Sequence, residues 1–175
     1  MSLYGPILSF ALNPINLSIF LPFVGAIVIM LIHHTRVRAI RATALVFCLI
    51  PLIVVSGLWL GWWSALGMVV PSSFLRDVFF LWGRFVPNPE QLFNYFLDVP
   101  WIEPLRIHYI VGLDGLSFPL FLLTVFLSTL ACISSFGIKE RVKEYFVLYL
   151  ILVGGMLGVF AALDYFLFYV FWEVS

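Results

Sequence analysis

The sequence predicts an all-α integral membrane protein with about five transmembrane helices, the last one cut short. Three observations carry that prediction. Of the 175 residues, 63% are hydrophobic and 10% charged, with a mean hydropathy of +1.13. A soluble domain is about 45–50% apolar and about 25% charged, so this chain lacks the polar surface to face water on all sides. Long runs also carry no acidic or basic side chain: Met1–Thr35, Ala42–Leu75, Gly115–Ile138 and Tyr145–Leu163. About 20 helical residues cross a hydrocarbon core of ~30 Å, so each run has room for a span. Finally, Phe20–Leu31 and Phe118–Leu130 are apolar all round, whereas strands of a membrane barrel alternate apolar and polar residues. The nine Lys and Arg balance nine Asp and Glu, and no basic tract is long enough to neutralise a phosphate backbone. Nucleic acid is thereby excluded as a partner, and the lipid bilayer is the expected surrounding.

The first span is placed at Ile15–His34 and the second at Ala42–Trp63, which makes residues 1–63 the first unit of the chain. The cations flanking the first span, Arg36, Arg38 and Arg41, follow it, the reverse of a secretory signal peptide. The positive-inside rule then puts the arginines in the cytoplasm and the amino terminus outside. Residues 64–111 form the next unit, an extracytoplasmic loop. Its Trp82, Trp101, Phe79, Phe80, Phe93 and Tyr95 stand among five prolines, too aromatic for a flexible linker. Short interfacial elements or a hairpin are expected there. Residues 112–175 carry the remaining spans, Leu113–Phe136 and Tyr145–Leu163, and a fifth that begins at Asp164-Tyr165 and is cut off at Ser175. Lys139, Arg141 and Lys143 follow the third span and return to the cytoplasm on the same alternating path.

Pro22, Pro51 and Pro119 fall inside or near the starts of spans, where packing can satisfy the freed carbonyls. Gly154 and Gly158 form a small-xxx-small pair, read as a helix-packing surface with self-dimerisation as the minor alternative.

Glu173 is the residue that most needs explaining. It lies eight residues beyond Tyr165, about 12 Å along a helix and close to the middle of a ~30 Å core. A carboxylate at that depth costs on the order of 2.5–3.5 kcal/mol even on the lenient insertion scale. Burial favours the neutral form of a carboxyl group and a nearby cation its charged form. An acid with a movable cationic partner can therefore bind and release a proton, the physical requirement of a relay. The bland alternative is a protonated acid hydrogen-bonded to a neighbouring helix. Val170, Tyr169 and Phe166 share its face, and Tyr169 is a candidate donor to the carboxylate, although an aromatic stripe is more often packing.

Asp114 and Asp164 stand at outer helix ends and read as caps. The run Lys139-Glu140-Arg141-Val142-Lys143-Glu144 reads as a solvated turn, and the adjacent His33 and His34 as interface anchors. Cys48 and Cys132 lack metal or redox spacing and read as small apolar fillers. No phosphate loop, dinucleotide fingerprint, nucleophile elbow or zinc-helix signature is present, so the chain shows no redox chemistry of its own.

Two stretches are familiar beyond composition. Val111-Gly112-Leu113-Asp114-Gly115-Leu116-Ser117, continuing to Leu123-Thr124, resembles the entrance to the third helix of the antiporter-like subunit M of proton-pumping NADH:quinone oxidoreductase, respiratory complex I. Gly155–Leu163, followed by Asp164-Tyr165-Phe166-Leu167-Phe168-Tyr169-Val170-Phe171-Trp172-Glu173, resembles the fourth-to-fifth helix region of that subunit, with Phe-Trp-Glu its most specific part. Pro100-Trp101-Ile102 fits the outer loop. The strong resemblance covers Val111–Val174, a little over a third of the chain.

The resemblance implies the amino-terminal part of a fourteen-helix antiporter-like fold, with Glu173 taking part in proton translocation. It implies other complex I membrane subunits as partners, and NADH, FMN, iron–sulfur clusters and quinone held on those subunits rather than here. The family's lysine partners in later broken helices have no counterpart, since Lys139 and Lys143 are loop residues. Residues 1–175 alone are therefore expected not to pump, as a fragment, the product of a premature stop or half of a split gene. Cation/proton antiporter and membrane-bound hydrogenase subunits share the architecture and are the transporter-class alternatives. A scaffold whose Glu173 only hydrogen-bonds is the alternative without transport. The expected location is a bacterial plasma membrane.

Overall fold

The computed structural model describes residue 10 and residues 13–65, 94–102, 104 and 107–175. In order, its elements are α1 (Pro14–Leu31), α2 (Val37–Ala65), β1 (Asn94–Ile102), β2 (Ile107–Leu113), α3 (Ser117–Ser134), a 3-10 turn at Ser135–Gly137, α4 (Val142–Ala161) and α5 (Tyr165–Val174). Four of the helices are long and apolar enough to cross a membrane. The all-α membrane architecture stands, with one antiparallel hairpin added.

The helix boundaries move from their expected places for identifiable reasons. α1 starts because Asn13 Oδ1 accepts the Ile15 amide at 2.9 Å and Pro14 occupies the first helical position, where an amide would have no partner. α2 begins at Val37, five residues before the expected Ala42, because Arg38 and Arg41 are taken into its first turns. Their long stems allow the charged heads to reach out of an apolar layer. α3 begins at Ser117, not Leu113, because the Asp114 carboxylate accepts the Leu116 and Ser117 amides. α4 begins at Val142, with Lys143 and Glu144 inside its first turn. Pro22 and Pro51 lie within α1 and α2 without ending them, while Pro119 sits in the first turn of α3.

α1 packs on α2 and α4, and α3 packs on the same two helices. The buried side chains form two clusters along the bundle. One, with Ile15, Ile19, Val55, Phe118, Phe121 and Leu157, fills the end where the hairpin lies. The other, with Ile29, Ile40, Cys48, Cys132, Phe146 and Leu150, fills the end that carries the cations. Polar side chains join the helices between them: Thr129 Oγ1 donates to Val125 O at 2.9 Å and lies 3.3 Å from Cys48 O, and the Tyr149 hydroxyl donates to Ser128 O. In an apolar layer such bonds link helices that the hydrophobic effect does not hold.

The hairpin expected as one possibility in the aromatic segment between the second and third spans is present. β1 pairs with β2, with Leu97 opposite Val111 and Val99 opposite Tyr109, and Asp98 meets His108 at 2.7 Å across the strands. The β2 segment from Val111 to Leu113 is buried, Val111 bridges to Ala162, and Leu163 N donates to Ile110 O at 2.9 Å. β2 therefore seats the turn that leads into α5. The aromatic residues expected to be ordered at positions 79–93 lie outside the described residues.

Candidate functional site

α5 sets the geometry around Glu173. Asp164 adopts an extended conformation and its carboxylate accepts the Phe166 and Leu167 amides at 2.9 and 3.1 Å, which starts the helix. Leu167 and Phe171, one turn apart, are buried, and Phe171 lies against α4. The contact is close because α4 presents glycine there. A Cβ at Gly158 would overlap the Phe171 ring, and one at Gly155 would stand 3.1 Å from Ser175. The expected packing role of the glycine pair is borne out, but its members serve different partners, since Gly154 faces the Phe23 ring of α1. The two glycines do not form one groove for a second copy.

With Leu167 and Phe171 turned inward, the 100° helical step puts Phe166, Tyr169 and Glu173 on the opposite face, and all three are exposed. Glu173 makes no hydrogen bond or ion pair among the described residues. Tyr169 shares its face, as expected, without donating to the carboxylate. Along the bundle, Glu173 lies between the levels of Gly158 and Gly155, about 5–9 Å inside the Ala161 end of α4 at the helical rise.

The hairpin end of this face is fixed by Trp101 of β1, whose ring meets Phe166 edge-on at 5.9 Å. Asp114 has a capping role, as read from the sequence. Its carboxyl is held below the ordinary range by the hydrogen bond from the Ser117 amide.

No protein-family model matches the chain. Among curated proteins, it is 33% identical over 162 residues to the NAD(P)H-quinone oxidoreductase chain 4 of Prochlorococcus marinus, an alignment covering 92% of this chain and 26% of that one. It is 31% identical over 161 residues to the NADH-ubiquinone oxidoreductase chain 4 of Marchantia polymorpha, covering 90% and 28%. It is 40% identical over 113 residues to the NADH-quinone oxidoreductase subunit M of Rhodobacter capsulatus, covering 65% and 21%. The chain belongs to the chain 4/subunit M family of antiporter-like complex I subunits. It spans about a quarter of the length of these relatives.

Within this family member, Lys139 and Lys143 stand at the opposite end of α4 from the α4–α5 turn, so neither is a partner for Glu173. The segment from Lys139 to Glu144 is more than a solvated turn. Lys143 Nζ donates to Met30 O at 2.8 Å, satisfying a carbonyl at the end of α1, and Arg41 Nη2 donates to Ile138 O at 2.8 Å. Arg141 and Glu144, 3.4 Å apart and both exposed, add little. His33 and His34 are exposed at the α1 end, as expected of anchors, with their rings 4.4 Å apart.

Sequence reasoning missed two relationships. The Cys48 and Cys132 thiols face one another between α2 and α3, both buried and free of a disulfide. Asn16 and Tyr109, far apart in sequence, share a buried hydrogen bond. Only the presence of a polar residue near the start of an apolar run hinted at the second.

Proposed function

We propose that this chain is part of a membrane-arm subunit of NADH:quinone oxidoreductase that couples electron transfer to proton translocation, with Glu173 as a proton-relay acid. The observation that carries the reading is the position of the carboxylate. It sits on the face of α5 turned away from α4, beside Tyr169 and Phe166. An ionisable group on a helix within a membrane is costly unless it meets a polar partner or a water-filled path. Nothing among the described residues supplies one, and the relatives are more than about three times as long. Further helices of such a subunit would cover this face and bring the cation that sets the proton affinity of the acid.

In this reading the chain itself holds no redox group. NADH, FMN, iron–sulfur clusters and quinone are bound by other subunits of the complex, which are the partners of this chain. Its helices form the start of a fourteen-helix channel domain in a bacterial plasma membrane. The basic end, with Arg36, Arg38, Arg41 and Lys143, faces the cytoplasm, and the hairpin end lies outside.

The test is Glu173→Gln in the assembled complex, reconstituted in sealed vesicles, with quinone reduction and proton uptake measured together. Retained assembly with at least a tenfold loss of proton translocation is expected. A variant that assembles and pumps at the parent rate would remove the relay and leave a packing role for the side chain.

A further inference from the structure

Six cations gather at the end of the bundle away from the hairpin, and they are not equivalent. Arg41 and Lys143 donate to the carbonyls of Ile138 and Met30, and Arg141 pairs with Glu144. Arg36, Arg38 and Lys139 are exposed and make no side-chain hydrogen bond or ion pair among the described residues. Of these three, Arg36 and Arg38 border two adjoining open clefts at the turn from α1 into α2. One is about 670 Å³, lined by Leu31, Ile32, His33, Thr35, Arg36 and Ala39. The other, about 480 Å³, shares Thr35, Arg36 and Ala39 and adds Val37 and Arg38.

We propose that these clefts bind the headgroup of an anionic phospholipid, with Arg36 and Arg38 on its phosphodiester and an acyl chain running down α1. The charge is complementary and the donors are suitable, since planar guanidinium forks match phosphate oxygens. The apolar part of the site continues from the polar part. Leu31 is 82% exposed, and Ile27, Val24 and Phe20 follow it at spacings of four, three and four residues, exposed by 59%, 47% and 38%. That stripe runs along one side of α1 from the cleft towards the middle of the bundle, the course an acyl chain takes from its headgroup. A free anion would use the arginines but not the stripe, and a zwitterionic lipid the stripe but not the arginine charge.

The inference is tested by placing a photoreactive benzophenone amino acid at position 35 of the chain in its assembled complex. The complex is reconstituted in vesicles of equal phosphatidylglycerol and phosphatidylcholine, and the cross-linked products are read by mass spectrometry. Phosphatidylglycerol adducts are expected to exceed phosphatidylcholine adducts by about tenfold. Each arginine near a membrane surface strengthens attraction to anionic lipid by about fivefold, so Arg36→Gln with Arg38→Gln is expected to abolish the preference. Lys139→Gln with Arg141→Gln removes the same charge outside the clefts and is expected to keep most of it. Equal adducts of the two lipids, or equal loss in both double variants, would overturn the proposal. So would adducts to a neighbouring subunit, or suppression of the lipid adduct by inorganic phosphate at about 10 mM.

Discussion

The Tyr109 hydroxyl on β2 donates a 2.8 Å hydrogen bond to Asn16 Oδ1 in the first turn of α1, and both residues are buried. The Asn16 amide group donates in turn to Phe10 O at 3.0 Å, which fixes its orientation. The Tyr109 ring meets Phe10 edge-on at 5.2 Å and stacks near Phe20 at 6.4 Å. Burial pushes the phenol above its ordinary range, so it stays a neutral donor at any working pH. One side chain thus joins the hairpin to the start of the bundle, while the same strand holds the α4–α5 turn.

Tyr109→Phe keeps the ring packing and leaves Asn16 Oδ1 buried without a donor. A loss of about 1–3 kcal/mol in unfolding free energy is expected, because an orphaned buried acceptor costs its full desolvation. Denaturant unfolding of the purified protein in detergent measures it. A loss below about 0.3 kcal/mol would mean that water replaces the hydroxyl and the bond does not hold the hairpin.

Gly158→Ala tests the seat of α5. The added methyl would overlap the base of the Phe171 ring, which cannot swing away without moving the helix. Overpacking at such a contact costs about 1–3 kcal/mol. Phe171→Leu in the Gly158→Ala background is expected to recover part of that loss. A cysteine placed at Tyr169 or Trp172 should show altered labelling in the single variant and near-parent labelling in the pair. Unchanged stability and labelling in Gly158→Ala would show that α5 is not held by this contact.

The helices were legible in the sequence because charge-free apolar runs and capping residues are local signals. The ends were less legible, since Arg38, Arg41 and Lys143 carry charges that a span-counting argument assigns to loops. The structure takes them into helices, with Lys143 and Arg41 satisfied by carbonyls of other elements. The candidate acid was legible as a residue type on an apolar helix. Its level against α4 was not, because the offset between α5 and α4 depends on where the Gly158–Phe171 contact forms. Asn16 with Tyr109 and Cys48 with Cys132 are contacts between segments distant in sequence, which no periodicity records.

Asp164 separates capping from charge. Its carboxylate accepts two amides of the first turn of α5. Asp164→Asn retains an acceptor in the same geometry and should cost only a few tenths of a kcal/mol, whereas Asp164→Ala should cost about 1 kcal/mol. If both variants lost proton translocation in the assembled complex while keeping parent stability, the charge of Asp164 would belong to the ion path and the capping account would be incomplete.

Asp114 gives a pH dependence with a definite sign. The hydrogen bond from the Ser117 amide, with that from Leu116, favours its charged form and lowers its pKa below the unperturbed 3.8. The unfolded chain therefore binds the proton at a higher pH than the folded one, and stability rises with pH across the interval between the two values. Its contribution is complete above the unfolded value and is lost as the pH falls through the lower, folded one. Thermal unfolding of the parent and Asp114→Asn between about pH 6 and pH 2.5 is the measurement. The parent should be the more stable at pH 6, and the difference should shrink steadily below about pH 4 until the two proteins converge. A gap that stays constant to pH 2.5 would show that Asp114 starts α3 through its shape alone, with no contribution from its charge.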